Sequence, residues 1–285
     1  MELINPIIND YATVFSNPWF WQFPAATLGI SVAAFLFFAT PWTILAYIDP
    51  KWAQPYKIQQ KPFQVKKYFL PNLARITINS SIMFLLIVIA WPLLKHSPIK
   101  TGDMPAWYIV VLQLAFFIFL DDFLYYWMHR YMHENKWLLK NVHSVHHRIR
   151  NTCALDGNYF NWIEFVLTGS LALVGPMLLG CHLYVLYIWI IIRQLEAADG
   201  HAGYDFKWNP MHWLPVYQGP VYHDFHHARY QGNYSGFLPY LDRFWGTYVP
   251  EYLKYRQDKK ANRNDDHVNQ SPKEQVKDGG ISSAL

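Results

Sequence analysis

Eight of the chain's thirteen histidines fall into three short clusters: His129-Arg130-Tyr131-Met132-His133, His143-Ser144-Val145-His146-His147 and His223-Asp224-Phe225-His226-His227. Residues at i, i+3 and i+4 share one face of a helix, so each cluster can aim two or three imidazoles at one point. Imidazole binds zinc, copper, iron and nickel, so donor type alone does not name the metal. The number of donors says more, because eight exceed what one tetrahedral zinc uses and point to two metals held between several helices. A metalloprotease HExxH helix does not fit: Arg130 follows His129, and Asn135-Lys136-Trp137 follows His133-Glu134. Asp121 and Asp122 stand about two turns before His129 on the same expected helix. A carboxylate there can hydrogen-bond a liganding imidazole or join the metal itself. Alternatively the pair is helix-end charge meeting lipid headgroups.

Long apolar segments must carry these clusters. Of 285 residues, 52% are hydrophobic, 18% aromatic and only 15% charged, far from the balance of a soluble protein. No Asp, Glu, Lys or Arg occurs from Tyr11 to Ile48, and Pro24 to Ile48 is long enough to span a bilayer, with a kink expected at Pro41. A second uncharged run covers Ile76 to Leu94, and a third begins near Trp107 and runs to Leu120, just before Asp121-Asp122. From Phe165 to Ile192 another run is interrupted by Gly175-Pro176 and Gly180, which predicts two helices joined by a tight turn. Several charge-free runs near twenty residues argue against buried helices of a soluble protein. The expected fold is an all-α integral membrane protein: about three transmembrane helices plus a helical hairpin, with a cytosolic helical cap carrying a histidine-rich di-metal site. Residues 1–105 form the anchor helices and a basic loop, 106–255 the catalytic domain, and 256–285 a disordered polar tail.

Basic residues orient the spans. None lies in residues 1–24 and two, Lys95 and Lys100, lie in the 95–105 loop, whereas six lie between Asp49 and Arg75. The positive-inside rule puts the amino terminus and the 95–105 loop on the far side and all three clusters in the cytosol. No cleavable signal peptide is expected, since residues 1–24 lack a basic n-region. Cys153 and Cys181 make neither a disulfide framework nor a CxxC metal site and read as packing residues. The net charge of +4 is modest, and the aromatic-rich basic loop at 49–75 suits lipid headgroups rather than nucleic acid.

Further motifs carry a resemblance. His201-Ala202-Gly203-Tyr204-Asp205-Phe206, Asn209-Pro210, Gln194-Leu195-Glu196 with Asp199, and Gly232-Asn233-Tyr234-Ser235 leading to Asp242-Arg243-Phe244 and Gly246-Thr247 accompany the clusters. From about Asp121 to Tyr248 the chain resembles the fatty acid hydroxylase and sterol desaturase superfamily, and within it the C-4 methylsterol monooxygenase branch. Leu178-Leu179-Gly180-Cys181-His182 and Trp162-Ile163-Glu164 are similar to the cholesterol 25-hydroxylase branch. Tyr125 and Tyr222 stand where C-4 oxidases usually carry histidine, and Asn161-Trp162 where they tend to carry His-Pro. The resemblance implies metal ligation by His129, His133, His143, His146, His147, His223, His226 and His227, with His201 as a ninth donor. Asp205, four residues after His201, would complete the shell or orient that histidine, and Asp122 would serve the chemistry alongside it. His212 matches no cluster and reads as a helix-end or surface residue, with metal ligation the alternative; His182 and His96 read as structural, and His267 lies in the tail.

The resemblance further implies two iron ions that use dioxygen to hydroxylate a sterol methyl group in repeated rounds at the endoplasmic reticulum membrane. Zinc is expected in purified protein as well, because adventitious zinc fills imidazole sites. The chain has no GxGxxG loop and no flavin or haem motif, so electrons from NAD(P)H come through an external carrier. The resemblance implies cytochrome b5 and its reductase as that carrier. Sister activities are side-chain hydroxylation, ring desaturation and aldehyde formation. Two readings of other classes compete: a zinc-dependent membrane hydrolase, which needs Glu134 or Glu164 as its base, and a non-catalytic membrane scaffold with a structural metal.

Overall fold

The computed structural model describes residues 4–213 and 216–258, and these are almost entirely helical with no named strand among them. A short helix, α1 (Ile4–Thr13), precedes α2 (Pro18–Ile48), α3 (Val65–Leu94) and α4 (Trp107–Glu134). Next come α5 (Lys136–Asn141), the hairpin arms α6 (Trp162–Leu179) and α7 (Leu183–Gly200), and two short helices, α8 (Pro220–Arg229) and α9 (Tyr240–Phe244).

At 1.5 Å rise per residue, about 20 residues cross a hydrocarbon core. Four helices, α2, α3, α4 and α6, are long and apolar enough. In α2, α3 and α4 only 17% of the most apolar window is buried, and Phe37, Leu85, Leu93 and Leu112 point outward. Water would not tolerate four such faces on a monomer, whereas a bilayer would. The irregularity expected at Pro41 falls earlier: α2 continues through Pro41 and instead widens to a π turn at Trp21–Ala25 around Pro24.

The hairpin breaks where glycine permits it. Gly175-Pro176 does not end α6; the helix runs on to Leu179, and Gly180 turns the chain at φ +52°. A Cβ on Gly180 would stand 2.8 Å from Pro98 O, so the position excludes side chains twice over. Gly175 has a different role: its missing Cβ admits Phe117 of α4, whose Cδ1 would be 2.8 Å away. The hairpin tip is stitched to the α3–α4 loop by Lys100 N to Cys181 O (3.0 Å), Leu183 N to Lys100 O (2.8 Å) and His182 Nε2 to Gly102 O (3.0 Å). The hairpin therefore runs the full height of the bundle, from that loop to the histidine end, and His182 is structural.

The arms are unequal. α7 carries Arg193, Glu196 and Asp199 in its last two turns, all buried, and Trp189 is sealed in the core with its Nε1 donating to Ala172 O of α6 (2.7 Å). α7 packs on α2, while α6 lies on α4. α7 is thus the central post of the bundle, and it delivers His201 at its C-cap. Of the 49–75 loop expected at the headgroups, residues 65–75 belong to α3, and the remaining 49–64 stretch is sewn over that end by Ile58 N to Gly203 O (3.0 Å) and Asp205 N to Tyr56 O (2.8 Å). Residues 251–258 are helical, three residues into the expected tail. The rest of that tail, with His267, lies outside the described residues.

Candidate metal centre

Four pieces of chain converge at one end of the bundle. The last turns of α4 bring His129 and His133, spaced i, i+4; α7 ends on His201; and α8 presents His223, His226 and His227. The second cluster differs from expectation: His143–Arg148 is a 3₁₀ turn, not an α-helix, yet its i, i+3, i+4 spacing still directs His143, His146 and His147 inward. All nine histidines are buried.

They sort into two groups whose donor atoms lie within 4.8 Å of one another: His129, His133, His143, His147 and His226 in one, and His146, His201, His223 and His227 in the other. The adjacent pairs His146-His147 and His226-His227 are split between them. Successive residues on a helix point about 100° apart, so a double histidine serves two centres rather than one. The ring centroids of His147 and His227 lie 4.6 Å apart where the groups meet.

Hydrogen bonds behind the imidazoles fix which nitrogen faces inward. Nδ1 of His129 donates to Tyr234 O (2.7 Å), of His143 to Glu164 Oε1 (2.7 Å), of His201 to Ala197 O (2.9 Å) and of His226 to Gly232 O (2.8 Å). With the proton on Nδ1, each of these rings turns a bare Nε2 lone pair inward. Burial first, and the neighbouring imidazoles next, hold His143, His146, His147, His223 and His227 well below the ordinary histidine range. Burial brings His201 down to about 4. The rings therefore remain neutral.

In the first group neutral rings leave one contact with no proton between its two nitrogens, which a shared cation would satisfy. His129 and His143 both spend their proton on Nδ1, yet their Nε2 atoms stand 3.1 Å apart; His143 and His133 approach to 2.8 Å, His147 and His143 to 2.9 Å. In the second group His223 and His201 Nε2 are 3.0 Å apart. Nitrogens each about 2.0–2.1 Å from a shared ion stand roughly 3.0 Å apart at right angles. The donor spacing thus fits one small cation per group, and five donors in the first group exceed a tetrahedral site. Iron, with imidazole ligands and room above four donors, suits both.

None of the three carboxylates expected beside the metals, Asp121, Asp122 and Asp205, belongs to either group, and Asp121 pairs with Arg193 Nε (2.8 Å). Asp122 accepts from Phe237 N (2.8 Å) and Leu238 N (3.4 Å), anchoring the 232–239 segment to α4. Asp205 meets His212 Nε2 at 3.1 Å instead of orienting His201, whose Nδ1 is taken by a carbonyl. Both are positioned to shape the loops that carry donors. Tyr222 likewise stands behind the third cluster, donating to Asp242 Oδ2 (2.8 Å). Two residues carry more of the site than sequence spacing suggests: Glu164 behind His143, and Asp242. The latter accepts from Tyr234 N (2.8 Å), Ser235 N (2.9 Å) and Thr247 Oγ1 (2.8 Å), fixing the loop whose carbonyls hold His129 and His226. The sequence signal for that hub is the pairing of the Gly232–Ser235 and Asp242–Thr247 motifs.

A cavity reaches this wall, with about 1260 Å³ of empty space in and around it, including the open space at its mouth. It begins among Thr27, Met83 and Ile87 of the apolar spans, passes Leu173, and ends at His201 and His223. Gly157, in the turn at Ala154–Asn158, lines it and touches the second group: a Cβ there would lie 2.7 Å from Ala197 O and 3.0 Å from His201 Nδ1. Gly157→Ala is expected to push His201 off its carbonyl and lower bound metal from two ions per chain toward one, checked by elemental analysis of purified protein.

The chain is similar in sequence to known proteins. Residues 114–247 match the family model described as fatty acid hydroxylase. A very-long-chain aldehyde decarbonylase, GL1-11 of Oryza sativa subsp. indica, is 36% identical over 200 residues, covering 67% of this chain and 73% of that protein. Methylsterol monooxygenase 1-3 of Arabidopsis thaliana is 30% identical over 247 residues, covering 84% and 81%. Methylsterol monooxygenase 2-2 of the same plant is 37% identical over 166 residues, covering 57% and 62%. No solved structure matches. The matched segment runs from α4 to Thr247, the stretch that supplies every donor in both groups, and on that likeness the chain belongs to the fatty acid hydroxylase family.

Proposed function

We propose that this protein is a membrane-bound oxygenase that oxidises a C-4 methyl group of a sterol, with its histidine end facing the cytosol at the endoplasmic reticulum. The observation that carries the reading is the cavity: it joins the apolar spans to the second histidine group, the path a lipid would take from the bilayer to the donors. The relatives named methylsterol monooxygenases support the substrate. Electrons come from an external carrier, for which cytochrome b5 and its NAD(P)H-dependent reductase are the family's choice.

Two bound iron ions would supply the activation of dioxygen toward an unactivated C–H bond. His129, His133, His143, His147 and His226 would hold one, and His146, His201, His223 and His227 the other. The chain's own contribution is orientation and exclusion. Carbonyls and Glu164 hold the rings in one tautomer, so donor positions do not reorganise during turnover. The apolar walls admit the lipid end-on, exclude bulk water and leave its reacting methyl against His201 and His223.

The hydrolase reading loses its base. Glu134 lies exposed on α4, paired with Arg130 (2.7 Å), and Glu164 sits behind His143 rather than on the open side of the donors. An aldehyde-handling reaction on very-long-chain lipids is the second reading, favoured by the decarbonylase relatives. Lipid profiling by mass spectrometry decides, in cells expressing wild type, His226→Ala/His227→Ala or no protein. Accumulation of 4-methyl or 4,4-dimethyl sterols whenever the site is missing is the expected result. Long-chain aldehydes or alkanes that change instead would move the assignment to the second reading, and no lipid change would leave the scaffold.

A further inference from the structure

Several of the cavity's polar side chains have protein partners, while Thr168 Oγ1 and Gln194 Oε1 are buried among its walls without one. Thr27 Oγ1 donates to Phe23 O, Gln194 Nε2 donates to Ser31 Oγ (2.9 Å), and Arg193 is held by Asp121 (2.8 Å) and Glu196. Those two carboxylates engage Arg193 through Nε and Nη1. Tyr125 differs. Its ring lies beside His129 (centroids 5.2 Å apart) with the Arg193 guanidinium 5.6 Å from its centre. Gly236 gives it room, since a Cβ there would stand 3.3 Å from Tyr125 Cδ1.

Among the described residues no group hydrogen-bonds the Tyr125 hydroxyl. The neighbouring Tyr126, by contrast, pairs with Thr247 Oγ1 at 2.9 Å. Nor is the Tyr125 oxygen sealed off like that of Tyr252; it belongs to a side chain that lines the cavity at its histidine end. A phenol donor facing an apolar cavity is costly unless a ligand oxygen meets it. An unoxidised methyl group offers none. The first oxygen at that end of the substrate is the one the reaction installs.

We propose that the Tyr125 hydroxyl donates a hydrogen bond to the oxygen of a once-oxidised substrate, retaining the lipid alcohol beside the histidines so that it is oxidised again before it leaves. This rests on the oxygenase reading above. Each round consumes one dioxygen, two electrons from the external carrier and two protons. The methyl becomes hydroxymethyl with release of one water, the alcohol becomes aldehyde with release of two, and the aldehyde becomes carboxylic acid with release of one. Tyr125 keeps its proton throughout and acts by retention, so its contribution is realised only after the first C–O bond exists.

The test uses the full chain in detergent, wild type against Tyr125→Phe. It measures binding of a 4,4-dimethyl sterol and of its 4-hydroxymethyl derivative by tryptophan fluorescence, and the products of reconstituted turnover by mass spectrometry. Loss of one hydrogen bond predicts about a 2- to 10-fold weaker affinity for the alcohol, with a smaller change for the parent. The ratio of acid to released alcohol and aldehyde falls accordingly. Tyr125→His, which keeps a donor, recovers part of that ratio. Equal weakening for both sterols, or an unchanged product ratio in Tyr125→Phe, overturns the proposal. Wild type that neither binds nor oxidises either sterol overturns the sterol reading first, and this inference with it.

Discussion

His143→Ala is expected to abolish turnover, empty the first histidine group and destabilise the fold by about 3 kcal/mol. Three losses coincide at this side chain. His143 Nε2 stands within 3.1 Å of its counterparts on His129, His133 and His147, so it is the most shared donor of its group. Its Nδ1 also satisfies Glu164, which is buried and whose second oxygen has no protein partner. Removing the imidazole leaves that carboxyl buried with nothing to bond, a larger penalty than the loss of a ligand alone. His227→Ala, which orphans no carboxylate, should lose its metal with a smaller fall in stability. Metal content and thermal midpoint measured on both variants separate the two effects. A His143→Ala/Glu164→Ala double variant should regain stability without regaining metal. Equal midpoints for His143→Ala and His227→Ala would show that Glu164 is not stabilised by His143.

Asp242→Ala should cost about 4 kcal/mol or more, among the largest effects available outside the donors themselves. The side chain is fully buried and accepts from four groups: two backbone amides, Thr247 and Tyr222. Alanine leaves three buried donors, the Tyr234 and Ser235 amides and the Tyr222 hydroxyl, without an acceptor, each costing roughly 1–3 kcal/mol before relaxation, while the part-buried Thr247 keeps Tyr126 as a partner. The segment it holds carries the Tyr234 and Gly232 carbonyls behind His129 and His226, so metal retention in the first group should fall together with stability. Asp242→Asn keeps the shape but replaces an acceptor with a donor, and an intermediate result is expected. Thermal unfolding and metal stoichiometry in detergent report both; a variant with wild-type midpoint would remove Asp242 from its place at the centre of this loop.

Composition and spacing made the architecture readable because each signal is local. Charge-free runs set the spans, Gly180 set the hairpin turn, and i, i+3, i+4 histidines set the convergence. What the sequence left hidden is tertiary. Glu164 lies 21 positions from His143, and nothing in Trp162-Ile163-Glu164 says that its carboxylate will face an imidazole. Asp122 shares a helix with His129 and so looked like its partner. Its side chain instead finds the amides of Phe237 and Leu238, 115 and 116 positions away, because that loop needed an acceptor. Asp205 satisfies the i+4 rule from His201, but the chain leaves the helix at His201, and the rule holds only within one. The inward turn of α7 was equally illegible, since an apolar arm reads the same whether lipid or protein surrounds it.

The split of each double histidine between two groups also fixes how this segment can change length. One residue inserted inside the 143–147 turn would rotate everything beyond it by about 120°, and inside α8 by about 100°. His147 or His227 would then face its neighbour's group, and two sets of donors would fail from a single insertion. The connections between the clusters carry no double histidine, so an insertion there leaves the donors within each cluster in register. Length variation among relatives should therefore collect in the connections and be absent within the clusters, making the double histidines fixed rulers around which the remaining loops are free to grow.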